Sequence, residues 1–251
     1  MPRLGIGLGL GNLIGKPSVG GGFVVQDPWN TILNSSYASN IVAAYDFRDF
    51  NGSEVVAKIG PNLETNNVTD VNDGLSFVKE NGSWAFADAS VSCAYPFTMA
   101  YIANTNTSLS IENVLINCSE SRFGGDVIVF TRGSIEQGLM PFNGSDNQTT
   151  DYLPNGSEWY YFSVCFLNNG TVRYATRKLS GNLNGTVTGS NEFVNFNGYP
   201  GVAAGFGSES VYNTTGIYRS AFFINQGFST AQQMEDLFNT LSASADGLTI
   251  Q

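Results

Sequence analysis

Histidine is absent from all 251 residues. Its absence removes the commonest general base, the Ser-His-Asp and Cys-His constellations, and every zinc site that needs an imidazole. Charge is scarce as well. Asp, Glu, Lys and Arg make up 13% of the chain, about half the share of an ordinary globular domain. Eleven scattered Lys and Arg face 21 Asp and Glu, for a net charge of −10. Nucleic-acid affinity rests on clustered basic residues that neutralise phosphates, so nucleic acid and anionic membrane surfaces are not expected partners. No apolar run approaches the ~20 residues that cross a bilayer as a helix. The three cysteines, Cys93, Cys118 and Cys165, are far apart and include no Cys-x-x-Cys pair. They read as small buried hydrophobes in a reducing compartment. A single Cys93–Cys118 bridge stays open, because spacing alone does not fix a pairing.

What is present suits β-structure. Hydrophobic residues reach 42%, enough for a core, and surface polarity must come from Asn, Ser, Thr and Gly. That mixture favours short strands and tight turns over long helices. Residues Leu4, Ile6, Leu8 and Leu10 alternate with Gly5, Gly7, Gly9 and Gly11. In an extended chain the four aliphatics share one side and the other side is bare backbone. Nothing inside the segment can bury that stripe, so it is expected to order in a groove or on a sheet edge, as an arm that docks onto a partner. Three alternatives compete. Glycine interrupts the apolar core a signal peptide needs. A phosphate loop is rejected, since Pro17 follows Gly15-Lys16 and Leu10 stands where its first glycine should be. The segment could also be the first strand of the domain. The division expected is residues 1–25 as arm and linker and 26–251 as one domain.

From Asn40 onward, short apolar runs alternate with turn residues. Strands are expected at 42–47, 75–78, 97–103, 114–116, 127–130, 159–166, 171–175, 201–206 and 217–224. Asn169-Gly170, between two of these runs, marks a hairpin. One helix is expected over 229–241. Ser229 and Gln232 have capping-box spacing, and Met234, Leu237, Phe238 and Leu241 form one apolar stripe. Many strands and a lone helix, without strand–helix alternation, argue for a sandwich.

The order of segments resembles the concanavalin A-like, laminin G-like jelly-roll family. Ile41-Val42-Ala43-Ala44-Tyr45-Asp46-Phe47 with Asn51-Gly52-Ser53 is similar to its opening strand and loop. Tyr95-Pro96-Phe97-Thr98-Met99-Ala100-Tyr101 is similar to its central strand. Trp159 to Val164, followed by Asn168 to Tyr174, is similar to its tryptophan-led hairpin. Gly216 to Ile224 with Phe228 to Gln233 is similar to its closing strand and short terminal helix. The resemblance spans about residues 41–241. It implies an all-β, concanavalin A-like (laminin G-like) sandwich with an extended N-terminal arm and one short C-terminal helix. Members typically carry an aspartate in the closing strand, where this chain reads Tyr218-Arg219-Ser220.

No catalytic residue is expected. The family's hydrolases show Glu-x-Asp-x-x-Glu, which is absent, and Glu112, Glu120 and Asp126 have the spacing of solvated surface charges. No cofactor is expected either. The one metal reading on offer is a calcium loop at Asp46, Asp70 and Asp73. Trp159 and Tyr161 share one face of a strand and are the candidate glycan contacts, against the plainer reading of core packing. Twelve Asn-x-Ser/Thr sequons occur, at Asn34, Asn51, Asn67, Asn81, Asn106, Asn117, Asn143, Asn147, Asn155, Asn169, Asn184 and Asn213. They read first as turn chemistry and second as glycosylation acceptors. The leading expectation is a viral structural protein, a surface decoration or fibre component of a bacteriophage particle. Its arm would join a capsid or tail protein, and the chain would work as a homo-oligomer or assembly component at the virion surface, with host-glycan binding as a further role. The alternative is an extracellular, lectin-like adhesin.

Overall fold

The computed structural model describes residues 27–106, 113–120, 127–131, 139–143, 146–147, 158–179, 181–188, 194–203 and 214–250. The arm residues Leu4, Ile6, Leu8 and Leu10 lie outside them. Seventeen strands are described: β1 (Ile41–Phe50), β2 (Glu54–Ile59), β3 (Leu63–Asn66), β4 (Thr69–Val71), β5 (Gly74–Phe77), β6 (Trp84–Ala87), β7 (Val91–Cys93), β8 (Phe97–Asn106), β9 (Asn113–Ser119), β10 (Val127–Thr131), β11 (Leu139–Asn143), β12 (Asp146–Asn147), β13 (Tyr160–Phe166), β14 (Thr171–Lys178), β15 (Leu183–Thr188), β16 (Phe196–Val202) and β17 (Thr215–Ile224). Two helices, α1 (Trp29–Leu33) and α2 (Ala231–Leu241), flank them in sequence.

All pairings among them are antiparallel and form two layers. The first runs β15-β14-β13-β8-β17-β1, with β5 and β4 continuing from one end of β17. The second runs β3-β6-β16-β9-β10-β11-β12, with β7 against the start of β16. β2 pairs with β1 and with β3, so it carries the chain from one layer to the other. The fold is an all-β sandwich, as the order of apolar runs implied. The Asn169-Gly170 hairpin is present: Gly170 N–H donates to Leu167 O at 3.1 Å, and Asn169 Oδ1 accepts from Thr171 N at 3.1 Å. Gly170 takes a positive φ of 76° there, which glycine adopts without strain.

Between the layers lies an aromatic core. Tyr45, Phe47, Phe77, Tyr101, Phe162 and Tyr218 are fully buried, and Phe77 and Tyr218 meet edge-to-face at 5.2 Å. Buried phenols need partners. Tyr218 donates to Leu115 O at 2.9 Å, and Tyr160 is bonded to Thr105 at 2.7 Å and to Tyr101 at 3.2 Å. Burial pushes the Tyr160 and Tyr218 phenols far above their ordinary range.

The outer face of the first layer is covered too, by the helix whose apolar stripe the sequence showed and by α1, which the sequence did not show. Ala44, Ala100, Ile102, Tyr161, Cys165, Phe222 and Ile224 point outward from β1, β8, β13 and β17. There they pack against Trp29 and Ile32 of α1 and Met234, Leu237 and Leu241 of α2. The helix cap falls one residue later than the sequence pattern suggested, and the helix itself runs from Ala231. Thr230 rather than Ser229 is the N-cap, and its box partner is Gln233 rather than Gln232. Gln233 Oε1 accepts from the backbone N–H of both Ser229 (2.8 Å) and Thr230 (3.1 Å), which closes the box at that register. The second corrected boundary is the strand expected at 201–206: β16 starts earlier, at Phe196, and runs to Val202, while residues 204–206 lie outside the described residues.

Candidate functional site

The sequence singled out Trp159 and Tyr161 as one face of an aromatic platform, and they do share a face. It is the face turned toward α2. Tyr161 has 0% exposure and its ring lies 5.1 Å from that of Phe238. Burial drives its phenol well above the ordinary range. Tyr161 is therefore core, and as a glycan contact it is corrected: the helix occupies the face a sugar would need. Tyr160, Phe162, Val164 and Phe166 fill the other core, so β13 is buried on both faces.

Trp159 differs. It sits just before β13, at the border of the helix-side cluster, and is half-buried. Its neighbour Glu158 lies 4.0 Å from Lys178 at the end of β14. An indole with one part packed and one part in solvent can stack on an apolar ring face and donate its N–H to a hydroxyl group.

Asp46, Asp70 and Asp73, the one metal reading on offer, do not come together as a calcium loop. Asp46 is buried and its carboxylate is taken: Trp29 Nε1 donates to it at 2.7 Å, and Arg48 donates through Nε at 2.9 Å and Nη2 at 2.6 Å. Burial alone would raise the Asp46 carboxyl, but the hydrogen bonds from Arg48 and Trp29 outweigh it and hold the group below the usual carboxylate range. Asp70 lies on β4 and Asp73 beyond it, both exposed. Among the described residues no group of three or more Cys, Asp or Glu is placed to hold a metal. Glu120 is exposed just after β9, and the side chains of Glu112 and Asp126 are outside the described residues.

Arg219, where the family resemblance leads one to expect an aspartate, has a structural task. Pairing of β17 with β8 slips between Tyr218 and Ser220. Tyr218 points inward, while Arg219 and Ser220 both reach the turn after α2. Arg219 Nε donates to Ser244 O at 3.0 Å and Nη1 to Asp73 O at 3.2 Å, and Ser220 Oγ is 2.8 Å from Ser244 Oγ. A second arginine fastens the helix itself. Arg177 of β14, 2% exposed, donates through Nε to Glu235 at 2.9 Å and stacks over Phe238 at 5.8 Å. The sequence marked Arg219 only as a departure from the resembled family and did not single out Arg177; their burial is the signal, and burial is visible only in three dimensions.

Of the sequons, Asn34, Asn51, Asn67, Asn81, Asn169 and Asn184 are exposed and Asn117 is buried on β9. The side chains of the other five lie outside the described residues.

No family model matches this sequence, and no curated protein sequence matches it. Solved structures do share its fold. Trypanosoma rangeli sialidase in complex with sialic acid superposes with a TM-score of 0.56 at 14% identity, over 83% of this chain and 33% of the sialidase. The binding domain of botulinum neurotoxin serotype D/C gives 0.57 at 12% identity, over 82% of this chain and 53% of that one. A third is a structure of botulinum neurotoxin type C, whose cell entry depends on interaction with two ganglioside molecules. It gives 0.54 at 12% identity, over 81% and 51%. The chain thus spans a third to a half of these proteins. The likeness defines the class of fold, a β-sandwich shared with toxin binding domains and with part of a sialidase.

Proposed function

We propose that this chain is a non-enzymatic, glycan-binding sandwich displayed on the outside of a virus particle and tethered there by its N-terminal arm. The observation that carries glycan binding is Trp159. It is the partly exposed half of the predicted aromatic pair, and its indole offers a ring face for stacking and an N–H for a hydroxyl. The fold likeness to a toxin that depends on gangliosides supports the same reading, by analogy of fold rather than of site. The tether is supported by the aliphatic stripe at Leu4, Ile6, Leu8 and Leu10, which has no means of burying itself. Capsid or tail proteins of the same particle are the proposed partners. The full chain, tested on a glycan array and then by titration with any hit, is expected to bind saturably, and Trp159→Ala to weaken binding at least tenfold. An array without saturable binding, or a Trp159→Ala variant that binds as well as the parent, rejects the glycan site.

A second reading, a secreted adhesin, is favoured by the six exposed sequon asparagines. Glycans found on those residues in native material would select it over an origin in a bacteriophage.

A further inference from the structure

Two thiols meet inside the sandwich, away from the surface around Trp159. Cys93 is on β7 and Cys118 on β9, and both strands are bonded to β16, with Cys93 opposite Phe196 and Cys118 opposite Pro200. Both have 0% exposure, and their Sγ atoms are 3.4 Å apart. Gly198 of β16 makes room for this. A Cβ there would fall 2.5 Å from Cys118 Sγ, so a side chain at 198 would displace the sulfur from the place where it meets Cys93. A disulfide needs the sulfurs about 2.0 Å apart, a closure of little more than an ångström shared between two side chains. Cys165 is elsewhere, in the cluster under α2, where Phe228 N–H donates to its Sγ at 3.2 Å.

We propose that Cys93 and Cys118 are the partners of an intramolecular disulfide that staples β7 to β9 when the chain meets an oxidising, disulfide-containing environment. The reaction is thiol–disulfide exchange. One thiolate attacks a small-molecule disulfide such as oxidised glutathione and expels one thiolate of reduced glutathione. The second cysteine then attacks the mixed disulfide and expels the other. Two protons leave the protein thiols, the protein sulfurs lose two electrons, and the small disulfide gains them. Both sulfurs are buried, so exchange proceeds while β7 is undocked. That strand has three residues, and its backbone pairing among the described residues is with β16 alone. The bridge closes a segment in which 24 residues separate the two cysteines, and it removes freedom from the unfolded chain more than it adds contacts to the folded one.

The test uses the full chain, equilibrated in oxidised and reduced glutathione at about pH 8 and, in parallel, in excess phosphine reductant, then denatured and alkylated. The expected product of the first arm carries one alkyl group, at Cys165, and yields a crosslinked peptide pair containing Cys93 and Cys118. Its Tm should exceed that of the reduced chain by roughly 5–10 °C. Cys93→Ala and Cys118→Ala should each abolish the Tm difference between the two conditions. Three alkylated cysteines in the glutathione arm, a bridge to Cys165, or a stable mixed disulfide with glutathione would each overturn the proposal. A circular dichroism spectrum of the reduced chain, folded and β-rich, separates a missing bridge from a failure to fold.

Discussion

Asp46 is the residue through which α1 is tied to the sheet, and its replacement gives the sharpest stability test. In Asp46→Ala the indole N–H of Trp29, a side chain with 1% exposure, loses its acceptor in a place that excludes water. An orphaned buried donor costs about 1–3 kcal/mol. Arg48 also loses its partner, but about a third of its side chain is exposed, so water recovers most of what it gives up and the added loss is about 0–1 kcal/mol. Together these come to about 1–4 kcal/mol, with a midpoint of about 2.5 kcal/mol. For a chain of this size that corresponds to a fall in Tm of roughly 5–10 °C. Urea unfolding followed by tryptophan fluorescence should show a lower midpoint with an unchanged slope, because little surface changes hands.

The pH dependence adds a second check on the same residue. The folded-state carboxyl of Asp46 titrates below its ordinary value, despite burial, because Arg48 and Trp29 hydrogen-bond to the charged form. A group depressed in this way contributes stability that is fully present above its unfolded pKa, about 3.9, and lost as pH falls through the folded value. The gap between parent and Asp46→Ala should therefore be complete at pH 6 and begin to close below about pH 4. Asp46→Asn keeps the volume but turns one acceptor into a donor, so it should fall between the two. An Asp46→Ala variant within 0.5 kcal/mol of the parent at pH 6, or a gap that grows in acid, would refute the account of this carboxylate as an acceptor for buried donors.

Two further tests address the backbone and the arm. Gly74 has a φ of +148°, and a Cβ there would lie 2.0 Å from Tyr218 O. Gly74→Ala should lower stability by ~3 kcal/mol or more, read as the urea midpoint, whereas Gly52→Ala, at a positive φ but in open space, should cost only about 1 kcal/mol. Deleting residues 1–22 should leave Tm within about 2 °C of the parent and abolish co-sedimentation with the particle; retained assembly would remove the arm from the proposal.

Much of the sandwich was legible because antiparallel strands announce themselves by short apolar runs between turn residues. β1, β8, β9, β13, β14 and β17 were all expected near the positions they occupy. Several of the strands that were not expected are short or poor in apolar residues. β3 reads Leu-Glu-Thr-Asn and β15 Leu-Asn-Gly-Thr-Val-Thr, and each is held by its neighbours' backbone rather than by its own hydrophobic pattern. The helix α1 is five residues long, and Asp27 Oδ1 accepts from the Trp29 backbone N–H at its start, at 3.0 Å. Its anchor is Trp29 bonded to Asp46, seventeen positions away, and no local rule reports such a partner.

The candidate site shows the same limit from the other side. Alternation along Trp159 to Phe166 correctly divides the aromatics between two faces, and the natural inference is that one face packs while the other is offered to a ligand. That inference holds for a sheet with one solvated face. Here β13 is flanked by β14 and β8 in the layer that α1 and α2 cover, so all seven of its residues are buried. The helix that covers it lies seventy residues further on, and the arginine that fastens the helix comes from β14. What singles out Trp159 from Tyr161 is thus its place at the strand's beginning, where the cover ends. An aromatic pair in a strand marks a binding face only when nothing later in the chain returns to cover it, and in this protein α2 returns to cover half of the pair.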